Sequence, residues 1–340
     1  MVNPLTLRSP SGTQVSQLMR PRILPVLALV LPLMFATTCG GRVQTAGGGQ
    51  PVTIRLSTGF PTGNFRPFSE ALVKGYARLM PDVRIESVET RGSLRNIEAL
   101  EDGEVDIGLA QAAIAYMAYN GRMSESGRAL RGIRGIAILN SSAVHVLVGP
   151  GSAVRSMDEL VGRRVGIGPA GSGAAVVSRA VVDGYFPGGG VHEVDAALPE
   201  MNKLLLDDAL DAAFTISSVP NDDAKYLTDA GARLLPIRRS AVNRLRTMYP
   251  FFRSGIIPAG SYRGVDQPVH TLSVDVVLLT RAGLDDAVVR RLTEGLFQML
   301  PQLSAELPFL TGMEPERAPA TPVPLHPGAA LYYRERELKR

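Results

Sequence analysis

From residue 52 onward, short apolar runs alternate with segments whose apolar residues recur every three or four positions. That alternation predicts strands interleaved with amphipathic helices. Val52–Ser57 reads as a strand. Phe68, Leu72, Tyr76 and Leu79 lie on one face of a helix over 66–80. A strand at 83–88 leads to a helix running to about 102, with Ser93 as its expected cap, and 105–110 alternates as a strand before a helix at 112–120. Two strands, 133–139 and 144–149, are expected on either side of a short turn. Ser156-Met157-Asp158-Glu159 fits a capping box and predicts a helix start. A strand at 164–168, a Gly-rich loop and a helix at 174–185 follow. Pro199 suits the first turn of the next helix. The pattern continues with a strand at 211–216, a helix at 219–231 and a short strand at 234–237, then a long apolar strand at 272–280. Asp285 is expected to cap a helix running to about 304, and a Pro-rich link over 315–327 precedes a final helix at 327–337.

This order predicts parallel sheets covered by helices, an α/β fold. Two Gly-rich strand-to-helix loops, at 58–65 and 168–173, suggest two such sheets in two lobes. Lobe 1 is expected to use 52–143 with 281–315, lobe 2 to use 144–280, and 316–340 to form a C-terminal link and helix. The strands at 144–149 and 272–280 are the natural crossovers. A cleft between α/β lobes, beside the carboxyl ends of the strands, is where a ligand is expected.

Composition changes this picture by exclusion. Lys plus Arg total 36 and Asp plus Glu 32, but Arg8, Arg20 and Arg22 are the only charges in 1–38. Without that stretch the chain carries 33 basic and 32 acidic residues. A nearly neutral body lacks the cation surplus that displaces phosphate counterions, so nucleic-acid binding is not expected. One cysteine precludes an internal disulfide or a Cys-rich zinc site, and the four histidines are widely separated, so neither metal nor cofactor is expected. Neither a GxxxxGK[ST] phosphate loop nor a GxSxG nucleophile elbow occurs.

Residues 23–36 are an apolar run behind Arg20 and Arg22, too short for a bilayer-spanning helix and patterned as a secretory signal over 1–38. Cys39, the single cysteine, follows Ala36-Thr37-Thr38. The placement resembles a bacterial lipobox, with Thr38 where a smaller residue is usual, and makes Cys39 the candidate lipidation site. Gly-rich 39–51 reads as a flexible tether. A periplasmic location follows, with membrane contact through the lipid anchor.

The first loop contributes Thr58, Gly59, Gly63, Asn64, Phe65 and Arg66 as candidate ligand contacts. Its glycines let backbone amides converge on an anion, and the following helix directs its positive end there. Gly171, Ser172 and Gly173 repeat that logic in the second loop. Arg91, ahead of Gly92, Ser93 and Asn96, has the geometry to fork onto a carboxylate. Its position at a helix start, where the dipole disfavours cations, asks for a reason. Gln111, just past its strand, can donate or accept toward the cleft. Tyr116-Met117-Ala118-Tyr119 reads as packing.

In order along the chain stand Thr58-Gly59…Gly63…Pro67, Gly92-Ser93…Asn96, Gly103-Glu104-Val105-Asp106-Ile107-Gly108, Gln111…Tyr116-Met117-Ala118-Tyr119-Asn120-Gly121, Gly171-Ser172-Gly173, Asp211-Ala212-Ala213-Phe214, Ile257-Pro258-Ala259-Gly260-Ser261-Tyr262 and His326-Pro327-Gly328-Ala329. This set resembles the TAXI class of solute-binding proteins (TRAP-associated extracytoplasmic immunogenic proteins). The resemblance implies a type II periplasmic-binding-protein fold and a receptor that hands a small organic anion to the membrane subunits of a TRAP transporter, without chemistry on it. The anion implied is a dicarboxylate, an oxo-acid or glutamate-like. Arg66 and Arg91 stand where the family often has an aromatic residue and a glycine, and Ala113 stands where it has an aspartate. These departures shift the expectation toward a non-amino dicarboxylate or an oxo-acid. A receptor feeding a signalling sensor and an exported enzyme acting on a phosphorylated substrate are the other readings.

Overall fold

The computed structural model describes residues 52–58, 65–123, 127–307, 310 and 313–338. The expected signal peptide and tether, with Cys39, and the expected contacts Gly59, Gly63 and Asn64 therefore lie outside the described residues. In the first half, β1 (Val52–Ser57), α1 (Phe65–Leu79), β2 (Val83–Val88), α2 (Ser93–Glu101), β3 (Ile107–Gln111) and α3 (Ala112–Tyr119) alternate as the periodicity predicts. β4 (Ile133–Val148) then leads to β5 (Arg164–Gly166), α4 (Gly173–Tyr185), β6 (His192–Val194), α5 (Leu198–Leu206), β7 (Ala212–Ser217) and α6 (Asp222–Asp229). The chain continues through β8 (Arg233–Leu234), α7 (Arg239–Met248), β9 (Phe252–Ile257), β10 (Val269–Arg281), α8 (Asp286–Glu306) and α9 (Pro327–Glu337).

Where two sheets were expected, the strands form one ten-stranded sheet with the path β2-β1-β3-β10-β4-β7-β5-β6. Its two ends are parallel three-strand units, β2-β1-β3 and β6-β5-β7. Between them β10 and β4 run antiparallel to each other and carry the sheet from one half to the other. The turn expected near residue 140 is absent, and β4 continues for 16 residues. Asn140-Ser141-Ser142 stays in the ladder because the register slips by one beside Leu139 and the Ser141 hydroxyl donates to the Asp275 carboxylate of β10. The helix expected at 156 is a four-residue 3-10 turn, although Ser156 does donate to Glu159 at 3.0 Å. Gly162, at φ 74°, turns the chain away directly afterwards. Gly92, not Ser93, is the cap position of α2. Neither α7 nor β9 was expected.

The two ends of the sheet are built alike. In the first, Arg55 donates to Asp106 from its backbone N (2.8 Å) and Nε (3.1 Å), and its Nη2 reaches the Gly103 carbonyl at 2.7 Å. In the second, Arg164 donates to Asp211 from N (2.9 Å) and Nε (3.0 Å), and its Nη2 reaches the Asp208 carbonyl at 2.9 Å. Each pair clamps a helix-to-strand turn to the neighbouring strand, and each turn needs a residue with positive φ. Gly103 fills that position at φ 70°, but Asp208 fills its counterpart at φ 59°. A non-glycine residue is strained there, whereas glycine is not. Asp208→Gly should therefore stabilise the protein by up to about 1 kcal/mol, the relief exceeding the extra flexibility of the unfolded chain. Urea denaturation checks this, and a lower midpoint would contradict it.

Candidate functional site

The buried apolar side chains form three clusters, and their arrangement positions the site. On one face of the sheet a single core runs without interruption across both halves. It joins Ile97 and Leu100 of α2 and Ile114 of α3 to Val177 of α4, Phe214 of β7 and Leu245 of α7. On the other face there are two separate cores. One gathers α1, α8 and α9 around Phe68, Tyr76 and Leu296; the other gathers α5 and α6 around Met201 and Leu227. Burial of apolar area thus fastens the halves together on the first face and leaves them apart on the second.

The gap between those two cores is a cavity of about 230 Å³. Phe65 and Phe68 of α1 and Leu109 and Gln111 of β3 line its first side. Leu139, Asn140 and Ser142 of β4 with Val276 of β10 form the floor. Thr215, Ile216 and Ser217 of β7 and the first turns of α5 and α6, with Leu198, Pro199, Asn221 and Asp223, close the far side. The carboxyl ends of β3 and β7 and the amino ends of three helices meet here because parallel strands on both sides of the sheet end at the gap. α5 begins as expected with Pro199 in its first turn, and Asn221 caps α6 by accepting from Ala224 N at 2.9 Å.

Two expected residues, Phe65 and Gln111, line this cavity. Two more, Ser93 and Gly173, stand against Gln111 on its other side. Ser93 Oγ accepts from Gln111 N at 3.1 Å, tying α2 to the end of β3. Gly173 opens α4, and a Cβ on it would lie 2.9 Å from Gln111 Oε1 and 3.2 Å from Ser93 Oγ. The two halves therefore touch directly where α4 meets α2 and β3. Ser172 caps α4 by accepting from Ala175 N at 3.1 Å, and Gly171 holds the preceding turn at φ 74°.

The other expected contacts go elsewhere. Thr58 is buried at the end of β1, its hydroxyl 3.4 Å from the Val88 carbonyl. Asn96 is fully buried, donating to the Leu109 carbonyl at 2.6 Å and accepting from Thr90. Arg66 is on the surface, paired with Glu70 at 3.2 Å and Glu89 at 3.7 Å. Arg91 is exposed in the turn that Gly92, at φ 93°, completes before α2. Residues of the floor and far side, Asn140 and Ser142 above all, were missed. Their signal was present as a polar interruption in an otherwise apolar run, which inside a buried strand marks a special position.

Asn140 and Gln111 are the unusual groups of the wall. They are 5% and 9% exposed, and Asn140 Oδ1 and Gln111 Oε1 have no hydrogen-bond partner. Buried polar atoms are normally paired. His145 of β4, by contrast, is fully engaged, with Nε2 2.9 Å from the Tyr262 hydroxyl and Nδ1 3.1 Å from the Ala143 carbonyl. Burial pushes its pKa down to about 4, so the ring is neutral at physiological pH. Among the described residues, no three His, Cys, Asp or Glu side chains are grouped to hold a metal, and no helix is long and apolar enough to cross a membrane.

Comparison with known proteins agrees with this architecture. MatC from Rhodopseudomonas palustris, in a structure with bound malate, is 15% identical, with a TM-score of 0.53 over 85% of this chain and 98% of that one. XAC2383 from Xanthomonas citri, in a structure with ATP, is 12% identical, with a TM-score of 0.52 over 84% and 98% of the respective chains. Such likeness shows the fold, that of two-lobed periplasmic substrate-binding proteins. The profile of the NMT1-like family matches residues 56–336. With most of the chain matched, and with its pocket set between two α/β halves, this protein belongs to the NMT1-like family of periplasmic solute-binding proteins.

Proposed function

We propose that the protein is an extracytoplasmic receptor of a TRAP-type secondary transporter, binding a small organic acid between its halves and delivering it unaltered to the membrane subunits. The observation that carries this reading is the cavity itself, enclosed by strand ends and helix starts from both halves. A ligand touching both sides favours the closed arrangement by its additional contacts there. The fold likeness to MatC with bound malate supports a small organic acid, and the ordered motifs that resemble the TAXI class support the TRAP pairing. The leader and Cys39 support export and a lipid tether at the periplasmic face of the membrane. The halves are lobe 1, 52–143 with 281–315, and lobe 2, 144–280, hinged through β4 and β10.

The test is native mass spectrometry of the purified protein, followed by calorimetry and NMR with the acid found. We expect one small acid per chain, bound reversibly and unchanged after prolonged incubation. Conversion of the acid by the protein would overturn the receptor reading in favour of an exported enzyme.

A further inference from the structure

The cavity wall has no lysine, arginine or histidine among its described residues. The sequence 59–64, Gly-Phe-Pro-Thr-Gly-Asn, contains no basic residue either. Asp223 is the single charged residue of the wall among the described residues, and its Oδ1 already accepts from Asn202 Nδ2 at 2.7 Å. The two arginines that could have served an anion are on the surface, Arg66 being held there by Glu70 and Glu89. A dicarboxylate in this cavity would give up the hydration of two charges and gain no cation in return, a combination that burial penalises heavily.

A single carboxylate is a different matter. α1 is a fifteen-residue helix with no acidic side chain in its first turn, and that turn opens on the cavity through Phe65 and Phe68. Its positive end compensates a fraction of one negative charge. The carboxamides of Gln111 and Asn140, nine-tenths buried and each with an oxygen that lacks a partner, supply uncharged polar groups beside it. Each has an amino group that can donate to a carboxylate. Phe65, Leu139 and Val276 on one side and Leu198 and Ile216 on the other make most of the wall's accessible surface apolar, alongside the polar Ser142, Thr215, Ser217 and Asn221.

We infer that the pocket takes a small monocarboxylate with a branched aliphatic or aromatic body and discriminates against dicarboxylates. This rests on the receptor reading above and narrows it. The body lies against the phenylalanine and aliphatic wall, while the carboxylate sits at the start of α1 beside the two carboxamides.

Calorimetry of the full exported chain with 4-methyl-2-oxopentanoate, phenylacetate, malate and glutarate tests the inference. At least one monocarboxylate should bind roughly tenfold or more tighter than either dicarboxylate, the effect of about 1.4 kcal/mol. Ile216→Arg places a guanidinium in the wall and should narrow or reverse that preference. Because this variant can misfold, the ranking in the natural protein stands as the primary measurement. Tighter binding of malate or glutarate there would overturn the inference and leave the receptor function intact, and failure of all four to bind the folded protein would also overturn it. Consumption of any probe, followed by NMR, would overturn the receptor function instead.

Discussion

Asp106→Ala should destabilise the protein by about 3 kcal/mol near neutral pH, lowering the melting temperature by roughly 6–12 °C. Asp106 is 4% exposed and sits where β1, β3 and β10 meet. It accepts from Arg55 three times and from Arg281 Nε at 2.8 Å. Its own backbone carbonyl takes the Thr280 hydroxyl at 2.8 Å. Removing the carboxylate strands two guanidinium groups and one backbone N–H at once. Arg55 and Arg281 are 39% and 32% exposed, so water recovers part of the loss, and the expected cost stays at the low end for a broken buried pair.

The acid dependence of this contribution has a definite sign. Burial alone would raise the Asp106 pKa, but the side-chain and backbone hydrogen bonds from Arg55 and the bond from Arg281 bring it below its ordinary value. The unfolded chain therefore binds the proton more readily than the folded one. The stabilisation is complete above the ordinary carboxylate value near 4 and is lost as pH falls through the lower folded value. Urea titrations should show the variant and its parent well separated at neutral pH and converging as pH falls below the ordinary carboxylate value. A separation under about 1 kcal/mol at neutral pH would mean that the cluster is dispensable.

Gly173→Val should weaken ligand binding by roughly 10- to 100-fold while sparing the fold, corresponding to about 1–3 kcal/mol of overpacking in the closed form. The first atom of any side chain at Gly173 falls within 2.9 Å of Gln111 Oε1 and 3.2 Å of Ser93 Oγ. Gln111 can give way only by swinging into the cavity, where a ligand would sit, and Ser93 is engaged with Gln111 N. With a ligand filling that space, the start of α4 must instead withdraw from α2 and β3, which moves the halves apart. Calorimetry with an acid that binds the parent measures the loss, and small-angle scattering should report a wider separation of the halves. Parental affinity in the valine variant would show that the contact of α4 with Gln111 plays no part in binding.

The alternation of strands and helices was legible in the sequence because each element carries its own periodicity and punctuation. Asp285 caps α8 as read, accepting from Ala287 N and Val288 N at 3.0 Å, and Pro199 starts α5. The tyrosines of α3 pack as anticipated, Tyr116 lying 5.8 Å from Phe251 between ring centroids. The joining of two sheets into one was not legible, since it depends on Asn140-Ser141-Ser142 staying in a ladder opposite Asp275 and Val276. Those partners lie far apart in the chain, and the polar triplet by itself looks like a turn. α7 was hidden for a related reason: its core-facing residues, Ala241, Val242 and Leu245, are thinly spaced among arginines.

The candidate site divides in the same way. Gln111 and Phe65 were found because they sit at boundaries between a strand and a helix, which local reading locates. Arg66 and Arg91 were chosen for their chemistry, and the structure places both at the surface. Charge along a sequence says what a side chain can do, but its backbone position decides where that capacity is spent. The cavity floor belongs to strands that meet only after the whole chain has folded.

The unequal cores on the two faces of the sheet have a directional consequence for transport. One flank of the protein is a spine, sealed by apolar side chains from α2, α3, α4 and α7, and among the described residues the doorway lies on the opposite flank, between α1 and the starts of α5 and α6. A solute would come and go across that threshold. A membrane partner that unloads this receptor would have to face that flank, so the docked orientation is already written into which side of the molecule was left unglued.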